Sequence, residues 1–264
     1  MKSRIVLVFR IFILCCGLGA VVCGLYGCAT IYNQATGKNE AVLVSTADER
    51  AIGYRMAGQI EEKYKLDENI MVQARVRAIG NVLANVSDRK DLPYQFKVLK
   101  DKNVNAFTTP GGYVYIFRGL ADKTDSDAEL ASVIAHEIGH VAARHAAKKM
   151  EVEMGYNMLM AIAFSRSSRA DLERYVSIGF NVISLGYSRE DELFADKLAI
   201  RYLMRAGYNP YGMVSFMQKM DKLEKEEGRV PIYILSSHPY MSQRIEAAGK
   251  EINAYLEQNK PRAQ

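Results

Sequence analysis

Three of the four histidines in this 264-residue chain fall within ten residues, in the run "ASVIAHEIGHVAARH" (131–145). Ala131, Val133, Ile134, Ala135, Ile138 and Val141 surround them with small or apolar side chains, so the run reads as a helix that lies inside the protein. His136 and His140 stand four apart, one above the other on one face, with Glu137 between them. Buried imidazoles need partners. Whatever fold this chain adopts must therefore bring polar groups to the middle of its core.

Zinc takes neutral imidazole readily, and a catalytic zinc site uses three protein ligands with one position left open. Two histidines at i and i+4 supply two of those ligands from one rigid element. The glutamate between them stands near the open position, where it can take a proton from water. His145 is poorly placed as the third ligand: it lies ~140° further round a continuous helix that turns ~100° per residue. It suits packing or hydrogen bonding instead. A metzincin motif would carry a glycine and a third histidine where this chain has Ala143 and Ala146. In "SREDELFAD" (188–196) Glu192 and Asp196 lie one turn apart on a second apolar-faced helix. Glu192 can complete the coordination, and Asp196 can accept the free ring N–H of a ligating histidine. On spacing alone Glu190, Asp191 and Asp196 are alternatives to Glu192.

The amino terminus differs from the rest. Lys2, Arg4 and Arg10 precede an uncharged apolar run, residues 11–26, in the layout of a bacterial secretory signal. "LYGC" (25–28) resembles a lipoprotein cleavage box, which makes Cys28 the acylated first residue of the mature chain. Ala29 after it points to the outer membrane rather than the inner. The other reading is an uncleaved anchor helix. Cysteines occur at 15, 16, 23 and 28 alone, so the mature domain has neither a disulfide nor a thiolate metal site. Removing three basic residues and no acidic one takes the net charge from +5 to +2, which argues against nucleic acid as a partner.

Along the chain, Thr46 and Glu49 form a capping-box pattern that opens a helix, and "NIMVQARVRAIGNVLANV" (69–86) reads as a second. "YQFKVLK" and "GYVYIF" alternate as strands, the latter after the turn residues Pro110, Gly111 and Gly112. Ser126 and Glu129 open the helix that carries His136 and runs on past His145. Two apolar stretches, residues 154–164 and 176–187, are too short to cross a bilayer. The run from 188 is a strong helix ending at Gly207, Asn209 and Pro210 start another, and a last helix runs from about Pro239 towards Glu257. His238 precedes Pro239, so its backbone is expected to be extended, on a loop free to face a site.

Together these segments resemble metallopeptidase family forty-eight, the group of HtpX-, LoiP- and BepA-like zinc peptidases and the CAAX prenyl proteases, in its lipoprotein branch. "HEIGHVAARH" followed by "SREDELFAD" carries the likeness. "TGKNEAVLVSTADERAIG" (36–53), "NAFTTPGGYVYIFRGL" (105–120) and "SSHPYMSQRI" (236–245) extend it over nearly the whole mature chain. The resemblance implies a mainly helical α+β fold, a gluzincin-type domain with a small sheet beside the zinc helix. It implies one zinc ion held by His136, His140 and Glu192, Glu137 as catalytic base, and Asp196 behind the ligands. It implicates His238 as a catalytic contact, and Arg244, Asn105 and Gly112 as contacts to substrate or oxyanion. Relatives with spanning helices insert them between the two motifs. This chain has only the short apolar stretches and reads as a compact, lipid-anchored peptidase domain.

The expected organisation is a signal peptide over 1–27, a lipid-anchored tether over 28–44 and a metallopeptidase domain over 45–264. The expected activity is hydrolysis of peptide bonds in misfolded or misassembled envelope proteins, on the periplasmic face of the membrane. The "GYVYIF" strand, if it lies at the cleft edge, can hold an extended substrate. The rival expectation is a chaperone-like assembly factor for outer-membrane proteins that binds in the cleft and rarely cuts.

Overall fold

The computed structural model describes residues 29–164, 169–227 and 233–259. The expected signal segment 1–27 and the lipidation site Cys28 lie outside the described residues. β1 (Ala29–Asn33) and β2 (Lys38–Val42) form an antiparallel hairpin, so the stretch expected as a tether includes paired backbone. Lys148 holds Glu40 of this hairpin at 3.0 Å, and Glu151 accepts the Val44 N–H at 3.0 Å.

Helix α1 (Thr46–Tyr64) starts one residue away from the expected box: Ser45 is the cap and Asp48 its reciprocal partner. Glu49 is drawn inward instead, to Arg89 and Arg144. Helix α2 (Ile70–Val86) is capped by Asn69 and buries Val76, Ile79 and Leu83, the stripe its sequence spacing specifies. β3 (Gln95–Leu99), β4 (Ala106–Thr109) and β5 (Tyr113–Phe117) make one sheet in the order β3-β5-β4, with a 3-10 turn (Pro110–Gly112) between β4 and β5. The strand expected at the cleft edge, β5, is therefore central. It pairs with β3 in parallel and with β4 antiparallel, so β3 and β4 are the two edges of the sheet.

Alternation along β5 divides the core. Val114 and Ile116 face one cluster with α2, while Tyr115 and Phe117 face another with α1. After the short helix α3 (Arg118–Ala121) comes α4 (Asp127–Ala143), capped by Ser126 and buried from Glu129 to its end. The expectation that this helix runs on past His145 does not hold. Arg144 adopts a left-handed conformation (φ 63°, ψ 27°) and a new helix, α5 (His145–Met154), starts there. Buried Arg144 pairs with Glu49 at 3.0 Å and donates to the Val44 carbonyl, and these partners outweigh the local strain.

Helices α6 (Tyr156–Phe164) and α7 (Arg169–Ser184) take up most of the two apolar stretches and join the second core cluster. Among the described residues no helix is long and apolar enough to cross a membrane. Helix α8 (Arg189–Arg205) has a full capping box, Ser188 with Asp191, and lies against α4. Helices α9 (Tyr211–Glu227), α10 (Tyr233–Ser237) and α11 (Met241–Gln258) close the first cluster. The result is mainly helical, with the small sheet beside α4, as the sequence implies.

Candidate metal centre

Helix α4 presents His136 and His140 side by side, and α8 presents Glu192 to them. The approach depends on Gly139: a Cβ there would meet the Ala195 carbonyl oxygen at 2.7 Å. Four donor atoms, one each from His136, His140, Glu192 and His238, lie within 4.8 Å of one another, and all four residues are buried. Nε2 of His136 is 3.0 Å from Nε2 of His140 and 3.2 Å from Nδ1 of His238. Oε1 of Glu192 is 3.0 Å from that Nδ1 and 3.4 Å from Nε2 of His140.

These separations suit a cation. A tetrahedron with ~2.0–2.1 Å bonds to its centre has edges of ~3.3–3.4 Å. The outer ring nitrogens show what the inner ones offer. Nδ1 of His136 lies 2.8 Å from Oδ1 of Asp196, so its proton points there. Nδ1 of His140 lies 2.8 Å from Nδ1 of His145, whose Nε2 faces Asp191 Oδ1 at 3.3 Å. With those protons outward, two imidazole lone pairs and a carboxylate converge on one point. Neutral rings set that way repel unless a positive charge sits between them, so the donor set fits a divalent metal ion.

The charges behind the donors support this. Arg244 is 3% exposed and donates from Nε and Nη2 to the two oxygens of Asp196, each at 2.7 Å, while its Nη1 lies 2.7 Å from Oε2 of Glu192. Burial opposes ionisation of Asp196, but Arg244 outweighs it and holds that carboxyl at about 2. Burial raises and His238 and Arg244 lower the Glu192 carboxyl, leaving it well below the usual range. Burial drives His140 down to about 3, which keeps its ring neutral. In His136 burial and Arg244 act downward, but Asp196 and Glu192 prevail and lift it to about 9, a proton that a bound cation displaces. Burial raises Glu137, and neither of its oxygens has a hydrogen-bond partner among the described residues. His238 Nε2 comes within 3.4 Å of Oε1 without hydrogen-bond geometry.

A cavity of about 300 Å³ opens beside Glu137, bordered by His238, Asn105, Phe107, Thr108, Phe180 and Tyr187 among others. Asn105 thus lines the cleft. Gly112 does not: it sits in the turn at the other end of β4, where its neighbours are Leu92 and Tyr94. Arg244 is engaged with carboxylates rather than free for substrate, although it borders a small apolar pocket of about 30 Å³ with Val133, Met213 and Met217. His238 lies in the short link between α10 and α11. Its N–H closes the last turn of α10 on Ile234, at 2.8 Å, and its ring joins the donor cluster. His145 stays outside the donor set and makes a hydrogen bond instead, and the break at Arg144 is what brings it onto His140. Tyr187 closes an apolar stretch in the sequence, and nothing in that pattern marks it, yet its ring stacks on His140 with centroids 4.1 Å apart.

Residues 71–252 match the family described as Peptidase family M48. The "Beta-barrel assembly-enhancing protease" of Yersinia pestis is 27% identical over 227 residues, covering 82% of this chain and 46% of the relative. "Metalloprotease LoiP" of Escherichia coli (strain K12) is 28% identical over 211 residues, 78% of this chain and 81% of the relative. "Mitochondrial metalloendopeptidase OMA1" of Arabidopsis thaliana is 32% identical over 184 residues, 70% of this chain and 36% of the relative. The chain spans about half the length of the assembly-enhancing proteases it matches. A buried His-Glu-His helix facing a carboxylate from a second helix, together with a family match over most of the sequence, leads to one conclusion: this chain belongs to peptidase family M48.

Proposed function

We propose that the protein is a zinc-dependent endopeptidase of the bacterial cell envelope, with His136, His140 and Glu192 as metal ligands and Glu137 as general base. The observation that carries this reading is the four-donor cluster with an unpartnered, buried glutamate beside it. Zinc rather than another divalent ion suits two imidazoles and a carboxylate. When bound, zinc supplies a Lewis acid that polarises the peptide carbonyl and brings the pKa of a neighbouring water towards neutral. Glu137 takes the proton from that water as it attacks the carbonyl carbon, then delivers it to the leaving amine. Burial keeps the proton affinity of Glu137 above that of an ordinary carboxylate, which matches it to this shuttling. Asp196 and His145 orient the two imidazoles, and Arg244 holds Glu192 and Asp196 in register.

His238 occupies the remaining vertex of the donor set. Water and substrate need that vertex, so the resting arrangement is a closed one and turnover requires His238 to swing out. An extended peptide then has a backbone edge to pair with. The Asn105 carbonyl accepts from Phe117 N–H at 2.9 Å, so by the alternation of an antiparallel ladder the backbone groups of Ala106 and Thr108 point away from β5, where the Asn105 side chain holds the Ala106 N–H at 2.9 Å. Backbone pairing of this kind accepts many sequences, which suits misfolded or misassembled envelope proteins as substrates. The Yersinia pestis relative is named for enhancing β-barrel assembly, which supports that substrate class. A lipid anchor at Cys28, on the outer membrane, completes the reading, with palmitate labelling of wild type and Cys28→Ala as its test.

The decisive measurement is metal content and casein cleavage for wild type and Glu137→Gln. Wild type is expected to hold one zinc and cleave, and Glu137→Gln to hold zinc and not cleave. A protein that never cleaves, and whose Glu137→Gln variant still complements a deletion strain, would favour the assembly-factor reading instead.

A further inference from the structure

The cleft wall contains a polar group that this mechanism leaves without a task. Tyr187 is 8% exposed, and its hydroxyl is buried with no hydrogen-bond partner among the described residues. Its ring is held firmly. It stacks on His140 at 4.1 Å between centroids and 25° between planes, and the Lys149 ammonium lies 5.4 Å from the ring centre. Gly186, at φ +79°, turns the chain so closely beneath α10 that a Cβ would lie 3.0 Å from the Ser237 carbonyl oxygen. That turn delivers Tyr187 to the same cavity that Glu137 and His238 border.

A phenyl ring would stack on His140 equally well and would bury no unpaired oxygen, an arrangement that folded proteins avoid. The hydroxyl therefore points to a partner that arrives with the substrate. We propose that Tyr187 is a further catalytic residue, whose hydroxyl donates a hydrogen bond to the carbonyl oxygen of the peptide bond under attack; this rests on the peptidase reading above. Negative charge grows on that oxygen as water adds to the carbonyl carbon, so the bond is stronger in the transition state than in the bound substrate. The proton stays on the phenol throughout. A phenol is protonated at neutral pH, so the Tyr187 hydroxyl is available as a donor.

Tyr187→Phe in the full-length, zinc-loaded protein tests this. Two readouts apply: steady-state cleavage of an internally quenched peptide copied from a mapped casein cleavage site, and affinity for a phosphonamidate version of that peptide, whose anionic oxygens imitate the attacked carbonyl. The expected result is a kcat lower by about 100-fold with KM and bound zinc unchanged, and a phosphonamidate affinity lower by a similar factor. Wild-type kcat and wild-type phosphonamidate affinity in Tyr187→Phe overturn the proposal, as does a fall in kcat wholly accounted for by lost zinc. Tyr187→Leu removes the stacking surface too, and is expected to lose zinc in addition. Phosphonamidate binding by Glu137→Gln is expected to retain its dependence on the Tyr187 hydroxyl. Turnover that survives Glu137→Gln strikes the peptidase reading, whereas turnover lost there but untouched by Tyr187→Phe strikes this proposal alone.

Discussion

Gly139 lies so near Ala195 that a single added methyl group would come to 2.7 Å from the Ala195 carbonyl oxygen. The contact sets the spacing between α4 and α8, and thereby the reach of Glu192 to the two imidazoles. Because the obstructing atom belongs to the backbone of a buried helix, Gly139→Ala must push the helices apart. The variant is expected to lose about 1–3 kcal/mol of stability and to bind zinc more weakly. Urea unfolding and competitive zinc titration measure the two effects; unchanged zinc affinity would show that the helix spacing does not control the site.

Asp196 accepts from His136 Nδ1 and from two nitrogens of Arg244. Asp196→Asn keeps the shape but removes the charge that fixes both partners. Zinc affinity is expected to fall by about 10–100-fold. The same titration, run beside wild type, decides it.

His238 fills the fourth vertex of the donor set, yet it stands outside the three ligands assigned above. His238→Ala is expected to retain one zinc and to cleave casein faster than wild type, because the vertex is open to water from the start. Slower cleavage with zinc retained would assign His238 to the reaction itself, as the sequence resemblance implies.

Glu49 is buried between Arg89, at 2.8 Å, and Arg144, at 3.0 Å. Removing its charge takes the carboxylate away from buried Arg144 and leaves Arg89 with Asp91 alone. Glu49→Gln is expected to cost about 3–5 kcal/mol and to destabilise the left-handed junction at Arg144. Equilibrium unfolding gives the number, and a change below about 1 kcal/mol would mean that water or other groups already screen the pair.

The β1–β2 hairpin should respond to acid. Burial pulls the Glu40 carboxyl up, but hydrogen bonds from Asn33 and Lys148 reverse this and leave it below the ordinary 4.5. A carboxyl depressed in the folded state stabilises fully above its unfolded value, and that contribution fades as pH falls through the folded value. Hydrogen exchange at the β2 amides is therefore expected to quicken as pH drops below about 4.5, after correction for intrinsic rates, and Lys148→Ala should blunt the response. Slower corrected exchange on acidification would contradict the assignment.

The sequence by itself determined the parts whose physics is local. Apolar spacing specified α2 and α4, and Ser188, Asn209 and Gly207 marked helix ends, because caps and stripes depend on residues within a turn or two. The pairing of His136 with His140, and of Glu192 with Asp196, was legible for the same reason: i to i+4 on a helix is a fixed geometry. Tertiary structure decided the rest. It put β5 in the middle of the sheet and left β4, hidden in a short unpatterned run, beside the cleft, since strand order depends on partners remote in sequence. It broke the helix of His136 and His140 at Arg144 because Glu49, on a different helix, draws that guanidinium inward. It turned His238 into the donor cluster, gave Arg244 to Asp196 and Glu192, and set Tyr187 on His140. None of those contacts has a sequence period, since each depends on the core packing that brings separate elements together.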